Sequence, residues 1–494
     1  MPGANAGGLA PWTVNTDITV RETYNDNPGL APAGREEHDF ITEITPGLRM
    51  SGSGPRLRGY FDYRPSLIYY AHGTSEDRFL NRLTGFGTLE AVDNFFYIDA
   101  NASITQDYLS PFGARPADVT ISTPNQLETR TVGLSPYVRG ALLRDYSYEL
   151  RYRKLWTTTD RSELGNLDSD YWTGRLASQI RLFGWALEYE ASKIHYEQFT
   201  AQPDRETRLA RARLYFQPDY AWRFTASAGR EENNYRSLGS MEASDMYGAG
   251  VTWAPSNRTL ADVQYEERFF GPYRLARFNH RTRLTAWNVT YLRDISDFQQ
   301  EALRLPPGFT LPLVDAIFRA RIPDPIERQE AIEQFYRNSA TPLFLSSSLA
   351  FYTQQIVLQE RLEGSVRIIG VRNSIGFSAF ARKSNRFSEG LTGILPDAFL
   401  QRDELKEKGF GAYADHKLTP FTTISLTGRR TFATRDEPSR LESRNDFVAL
   451  TLNHSLSPNT NAFAGVSYTG VRDELPTVVN REANSVYVGL THRF

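Results

Sequence analysis

The stretch QPDYAWRFTASAGREENNYRSLGSMEASDMYGAGVTWAPSN, residues 217–257, carries the plan of the chain in miniature. It opens on the short reversal Gln217-Pro218-Asp219-Tyr220 and closes on Ala254-Pro255-Ser256-Asn257. Between them, segments 222–230 and 245–253 alternate polar and apolar residues, and a longer polar, glycine-containing loop joins the two. Proline at the second position of a reversal presets φ for a tight type I turn. The same unit recurs between Thr419-Pro420-Phe421-Thr422 and Ser457-Pro458-Asn459-Thr460, at nearly the same spacing. Short turns at one rim, long loops at the other and a two-residue period between them describe an outer-membrane β-barrel.

Composition agrees. Only 40% of the 494 residues are hydrophobic and mean hydropathy is −0.47, yet aromatics reach 13% with 26 Tyr and 30 Phe. In a barrel wall every second residue meets lipid, so a membrane protein can read as hydrophilic on average. The chain has no apolar run near the ~20 residues that a transmembrane helix needs. It has no cysteine, which removes disulfides and thiolate metal sites, and its net charge of −2 excludes a strongly basic nucleic-acid binder. The first eight residues lack the basic and apolar regions of a signal peptide; such a leader is expected to have been removed. Residues 1–10 read as a tail and 11–494 as the barrel.

The first strand places Trp12, Val14, Ile18 and Val20 on one face and Thr13, Asn15, Asp17 and Thr19 on the other. The clearest strand, 96–108, alternates Phe96, Ile98, Ala100, Ala102 and Ile104 with Asp99, Asn101, Ser103, Thr105 and Asp107. Continued to 483–494, the pattern predicts an all-β, transmembrane antiparallel barrel of about 22 strands, within roughly 18 to 24. Parity requires a hidden hairpin at His280-Arg281-Thr282-Arg283, since otherwise neighbouring short turns would fall on opposite rims.

One long helical loop insertion breaks the grammar at 296–348. Asp324-Pro325-Ile326-Glu327 reads as N-cap, N1 proline and acidic N3, followed by an apolar face of Ile326, Ile332, Phe335 and Tyr336. Pro312 opens a second short helix bearing Val314, Ile317 and Phe318. A barrel this wide needs an obstruction. The insertion is expected either to gate the lumen from the outer side or to cap the rim.

With Tyr146, Tyr148, Leu150 and Tyr152 in lipid, Arg151 and Arg153 point inward; the same parity turns Arg175, Arg181, Arg211, Arg213 and Arg223 inward. Glu149, Glu188, Glu190 and Asp99 fall among them. An arginine at mid-depth on the lipid face would cost about 2–4 kcal/mol. The inward charges form either a basic wall that draws anionic solutes or a salt-bridged lining. Trp185, Trp222 and Trp253 read as interfacial girdle residues, and the inward Tyr137 and Tyr215 as candidate sugar-stacking rings. Val486, Val488, Leu490 and Phe494 form an alternating last strand with a terminal aromatic, the pattern read by the barrel assembly machinery; His492 departs from it. No G-x-S-x-G or H-E-x-x-H motif occurs. Glu188 and Glu190 lie on one wall, where they cannot flank a bound sugar as a glycosidase pair does. No catalytic residue, metal or cofactor is expected.

Particular stretches carry a resemblance: YNDNPGL (24–30), FITEITPGL (40–48), FFYIDANASITQDYLSPFG (95–113), RFFG (268–271), HRTRLTAWNVTY (280–291) and PLVDAIFRARIPDP (312–325). They resemble the outer-membrane barrel family associated with PEP-CTERM/exosortase and exopolysaccharide gene clusters. The resemblance spans nearly the whole chain and implies export of extracellular polysaccharide across the outer membrane of a Gram-negative bacterium, with periplasmic export proteins as partners. It supplies no catalytic or binding residues. A general or solute-selective porin is the alternative, and a lipid- or glycan-modifying barrel enzyme the third. With no plug-sized segment before the first strand, a TonB-dependent transporter is not expected.

Overall fold

The computed structural model describes residues 12–143, 145–161, 164–197, 204–236, 240–299, 353, 355–387, 404–435, 441–474 and 478–494. The tail 1–10 and most of the 296–348 insertion, with Val314, Ile317, Phe318, Ile326, Ile332, Phe335 and Tyr336, lie outside the described residues.

The described residues form one 24-segment sheet whose pairings are all antiparallel. Two barrel strands are each broken once. Leu57–Tyr63 continues as Ser66–Tyr70, both against Asp39–Ser53, and Arg78–Leu80 continues as Leu83–Val92. The 24 segments therefore make 22 strands. The first, Thr13–Asn25, pairs with the last, Val478–Arg493, from Asp17 opposite Arg493 to Asn25 opposite Ser485, and closes the barrel. Closure leaves no sheet edge, which lipid demands because hydrocarbon offers backbone groups no partner.

All four proline reversals lie on one rim, as the sequence predicts. Ser457 faces Thr460 across the two-residue tip Pro458-Asn459, and Thr419 and Thr422 exchange backbone bonds of 3.2 and 3.3 Å. At 254–257 the tip moves on to Asn257-Arg258, and Pro255 falls in a register shift between Trp253 and Ser256. A bulge is where a strand tolerates a residue without an N–H. The hidden hairpin is present: Gly271–Arg281 and Thr285–Ser296 are joined where the Thr282 amide donates to the Thr285 carbonyl at 2.8 Å. On the opposite rim the strand Gly271–Arg281 is joined to Thr259–Arg268 by a tight turn at Phe269-Phe270, and Gly271 takes φ +86°, a conformation that suits glycine.

The alternation reads directly as outside and inside. Val14, Leu150, Trp172, Leu187, Leu214, Val263 and Leu450 are exposed outward, whereas Asp17, Ser135, Ser227, Thr427 and Ser467 are buried inward. On the last strand Val486, Val488 and Leu490 face out and Phe494 ends at the short-turn rim. His492 shares that outer face and hydrogen-bonds the Thr460 hydroxyl at 2.9 Å. Trp222 and Trp253 meet at 6.0 Å, and Phe216 lies 5.1 Å from Phe183 and 6.1 Å from Phe224, an aromatic band near the same rim.

Val263→Arg, on the outer face at mid-strand, is expected to destabilise the folded barrel by about 2–4 kcal/mol, whereas the inward Gln264→Arg is tolerated. Urea titration of folding into vesicles, read by heat-modifiable gel mobility, measures both; equal effects would contradict the assignment of faces.

Candidate functional site: the lumen and the segment that crosses it

Strand pairing brings most of the sequence-predicted lumen residues together. Arg175 sits in register with Glu149 on one neighbour and Glu188 on the other. Glu188 lies opposite Arg211, whose guanidinium reaches it at 2.7 Å and also meets Glu266 at 3.0 Å. Arg213 contacts the same two carboxylates at 3.2 and 3.4 Å, and the Ser227 hydroxyl donates to Glu266 at 2.9 Å. Glu190 stands 3.5 Å from Arg211 on the open side of the group. Further round the wall, Arg151 bridges Asp99 at 2.6 Å and Glu149 at 3.0 Å. Arg153 is inward, opposite Tyr171, and Arg223 is exposed at the turn end of its strand. Arg181 is different. Its strand ends at Ser178, so parity no longer applies, and Arg181 lies in the turn, 80% exposed and beside Asp145.

Neighbouring arginines and glutamates on one wall thus form shared ion pairs, in which the planar guanidinium forks between two carboxylates. Tyr137 offers no free face for a sugar: it stacks on Tyr97 at 5.1 Å and lies under Arg151 at 3.7 Å, while Arg139 covers Tyr97 at 4.2 Å. Tyr215 is packed against Ala177 and Ala186. A recess of about 720 Å³ opens beside this group, lined by Tyr97, Arg139, Glu149, Arg175, Glu190 and Arg213 among others.

Among the described residues, the lumen is crossed by a segment that the sequence pattern passes over. After strand Phe96–Tyr108 the chain turns inward through residues 109–125 before strand Gln126–Leu142 begins. The Asn125 side chain holds the segment's shape, accepting from the Ser110 amide at 2.9 Å and donating to the Ala114 carbonyl at 3.1 Å. Arg115 crosses to the far wall, where it meets Glu407 at 2.9 Å and its amide donates to the Asn445 side chain at 2.9 Å. Glu407 also accepts from Arg382, and all three side chains are almost fully buried. Asp118 pairs with Arg21 at 2.6 Å on the first strand, and the Tyr70 hydroxyl donates to the Thr120 carbonyl at 2.8 Å. Ala114 and Ile121 pack with Leu30, Val471 and Ala483. The segment is fastened to strands on several sides of the lumen.

A second crossing begins where the long insertion starts. Beyond strand Thr285–Ser296, Phe298 joins Leu109, Leu127, Leu167, Ile194 and Tyr196 in an apolar cluster at the loop-side mouth. Gln299 donates to the Thr157 hydroxyl at 2.9 Å and the Leu167 carbonyl at 3.2 Å, and accepts from Ser169. The described beginning of the insertion is therefore pinned inside the barrel, on the wall opposite its own strand. The gate residues proposed for the rest of it lie outside the described residues.

No family model matches the chain, and no curated protein does. Among solved structures it is similar to the siderophore receptor PirA from Pseudomonas aeruginosa, at 8% identity, TM-score 0.39, covering 97% of this chain and 80% of that one. For the FrpB iron transporter from Neisseria meningitidis in its apoprotein form the values are 10%, 0.42, 97% and 81%. For OccAB2 from Acinetobacter baumannii they are 9%, 0.35, 97% and 98%. The architecture assigned to this chain rests on its own closed register and outward apolar face, which are those of an outer-membrane type barrel.

Glu266 is buried beneath two arginines, so Glu266→Gln is expected to destabilise the barrel by about 3–5 kcal/mol. Glu190→Gln, at an exposed carboxylate, should change it by less than about 1 kcal/mol. Thermal unfolding in detergent separates the two; equal losses would contradict the described pairing. For Asp118, burial raises the carboxyl's pKa, but Arg21 and the Thr120 amide together hold it below the ordinary value. A lowered folded value contributes stability above the unfolded pKa and loses it as pH falls through the folded one. The crossing segment is thus expected to stay in place from neutral pH down to about pH 4 and to release only in stronger acid. Conductance against pH checks this, and opening near about pH 6 would contradict it.

Proposed function

We propose that this protein is a passive outer-membrane conduit, closed at rest by its own segment 109–125, through which extracellular polysaccharide leaves a Gram-negative cell. The observation that carries the closed-conduit reading is the burial of Arg115 against Glu407 on the far wall. A wide barrel left empty would leak; a strap fastened by ion pairs blocks it and can be displaced without unfolding the wall. The cargo is taken from the family resemblance, and periplasmic export proteins are the partners that would deliver it. The reading includes no catalytic step: the inward Glu188 and Glu266 are engaged by arginines along one wall rather than set on opposite sides of a substrate.

A solute-selective porin is the second reading, favoured by the paired Arg/Glu lining and the recess beside it. Two measurements distinguish them. In planar bilayers, Arg115→Ala with Asp118→Ala is expected to raise single-channel conductance several-fold over the parent; an unchanged value would sink the strap. In cells, deleting the gene should leave polysaccharide in the periplasm. Unchanged surface polysaccharide, with wide conductance and little solute preference, would replace export by the porin.

A further inference from the structure

Not every charge on the Arg/Glu wall is enclosed by its neighbours. Arg139, Glu149, Arg175 and Glu188 stand opposite one another on four successive strands, a row of alternating sign. Glu188 is enclosed by Arg211 and Arg213. The other three are not. Arg175, 55% exposed, approaches Glu188 only through Nε at 3.6 Å, beyond hydrogen-bond distance. Arg139 lies over the Tyr97 ring at 4.2 Å and, among the described residues, forms no ion pair. A guanidinium held by its face keeps its N–H edge available. Glu149 accepts one bond, from Arg151 Nε at 3.0 Å. Just above the row Glu190, 55% exposed, has Arg211 at 3.5 Å, and the exposed Thr173 stands opposite it in register.

These groups line the recess of about 720 Å³, a volume within the range of small-molecule pockets. Arg139, Glu149 and Arg175 lie close to the short-turn ends of their strands, Leu142, Tyr146 and Ser178. The crossing segment is fastened at the other end of the wall, to Glu407 and Arg21, close to the strand ends Glu404 and Asn25. No residue of 109–125 lines the recess, which therefore faces the short-turn mouth.

We infer that this recess binds an uncharged, hydroxyl-rich glycan that enters from the short-turn side. The alternation of sign decides the class of ligand. An anion drawn to Arg139 or Arg175 meets Glu149 between them, and a cation drawn to Glu149 meets both arginines. A hydroxyl both donates and accepts, so adjacent sugar hydroxyls accept from Arg139 and Arg175 while donating to Glu149 and Glu190. Bonds with one charged partner are stronger than bonds between neutral groups. Recognition is by the edge of the sugar, since the faces of Tyr97 and Tyr137 are already covered. That the glycan is the exported polymer rests on the export reading; the recess itself stands on its own geometry.

The test is isothermal titration calorimetry on the barrel, purified in a detergent without a sugar headgroup. The probes are maltotriose, cellotriose, trigalacturonate, glucose and glycine. The parent should bind at least one of the two neutral trisaccharides, and more tightly than any other probe. Arg139→Ala/Arg175→Ala and Glu190→Ala should each bind it about tenfold more weakly. Thr173→Val, which leaves every charge in place, should weaken it severalfold, and heat-modifiable gel mobility checks that each variant is folded. Binding of neither neutral trisaccharide, or equal binding by all the variants, would overturn the inference. Tighter binding of trigalacturonate or glycine would overturn the uncharged class, and equal binding of glucose would replace the glycan by a single sugar. Trisaccharide binding in a protein whose deletion leaves surface polysaccharide unchanged would uphold the recess and overturn export alone.

Discussion

Everything in this protein depends on the closing pair between Thr13–Asn25 and Val478–Arg493. Hydrocarbon cannot satisfy a backbone N–H or C=O, so a sheet in a membrane must end on itself. Once closure is required, each strand has one face in lipid and one in water, and a single-residue slip would exchange them. That is why inward Arg, Glu, Ser and Thr alternate so regularly with outward Leu, Val, Phe and Trp.

Closure creates a second problem, because the interior of a 22-strand barrel is too wide to be filled by wall side chains. The protein fills it with chain. Segment 109–125 and the start of the long insertion both turn inward and attach to walls far from their own strands. Their fastenings differ. The insertion enters through an apolar cluster and the Gln299 amide, which favours permanence. The 109–125 segment depends heavily on Arg115 and Asp118, each buried against an opposite charge. Buried pairs of this kind gain little over apolar packing but are costly to break singly. They fix where the segment lies more than they strengthen the barrel.

Sequence reading went as far as local periodicity carries. The proline reversals gave the rim, parity exposed the hairpin at 280–283, and the facing of Arg151, Arg153, Arg175, Arg211 and Arg213 followed from Leu150 and its neighbours. It misled at Arg181, where the strand had already ended, and at Tyr137, where parity put the ring inward but not that Tyr97 and Arg151 would cover it. Arg139, Glu266 and Arg382 could have been found by the same parity and were missed. Arg115 and Asp118 could not, because they lie in a proline-interrupted stretch with no strand-length period.

The sequence by itself determined the barrel: strand count, direction, faces and the rim of short turns, all properties of neighbours along the chain or one strand apart. Only the tertiary structure decided what occupies the lumen and which charges are partners. Arg115 and Glu407 are separated by nearly three hundred residues and become neighbours only after the wall has closed. No local pattern encodes a contact made across the diameter of a ring.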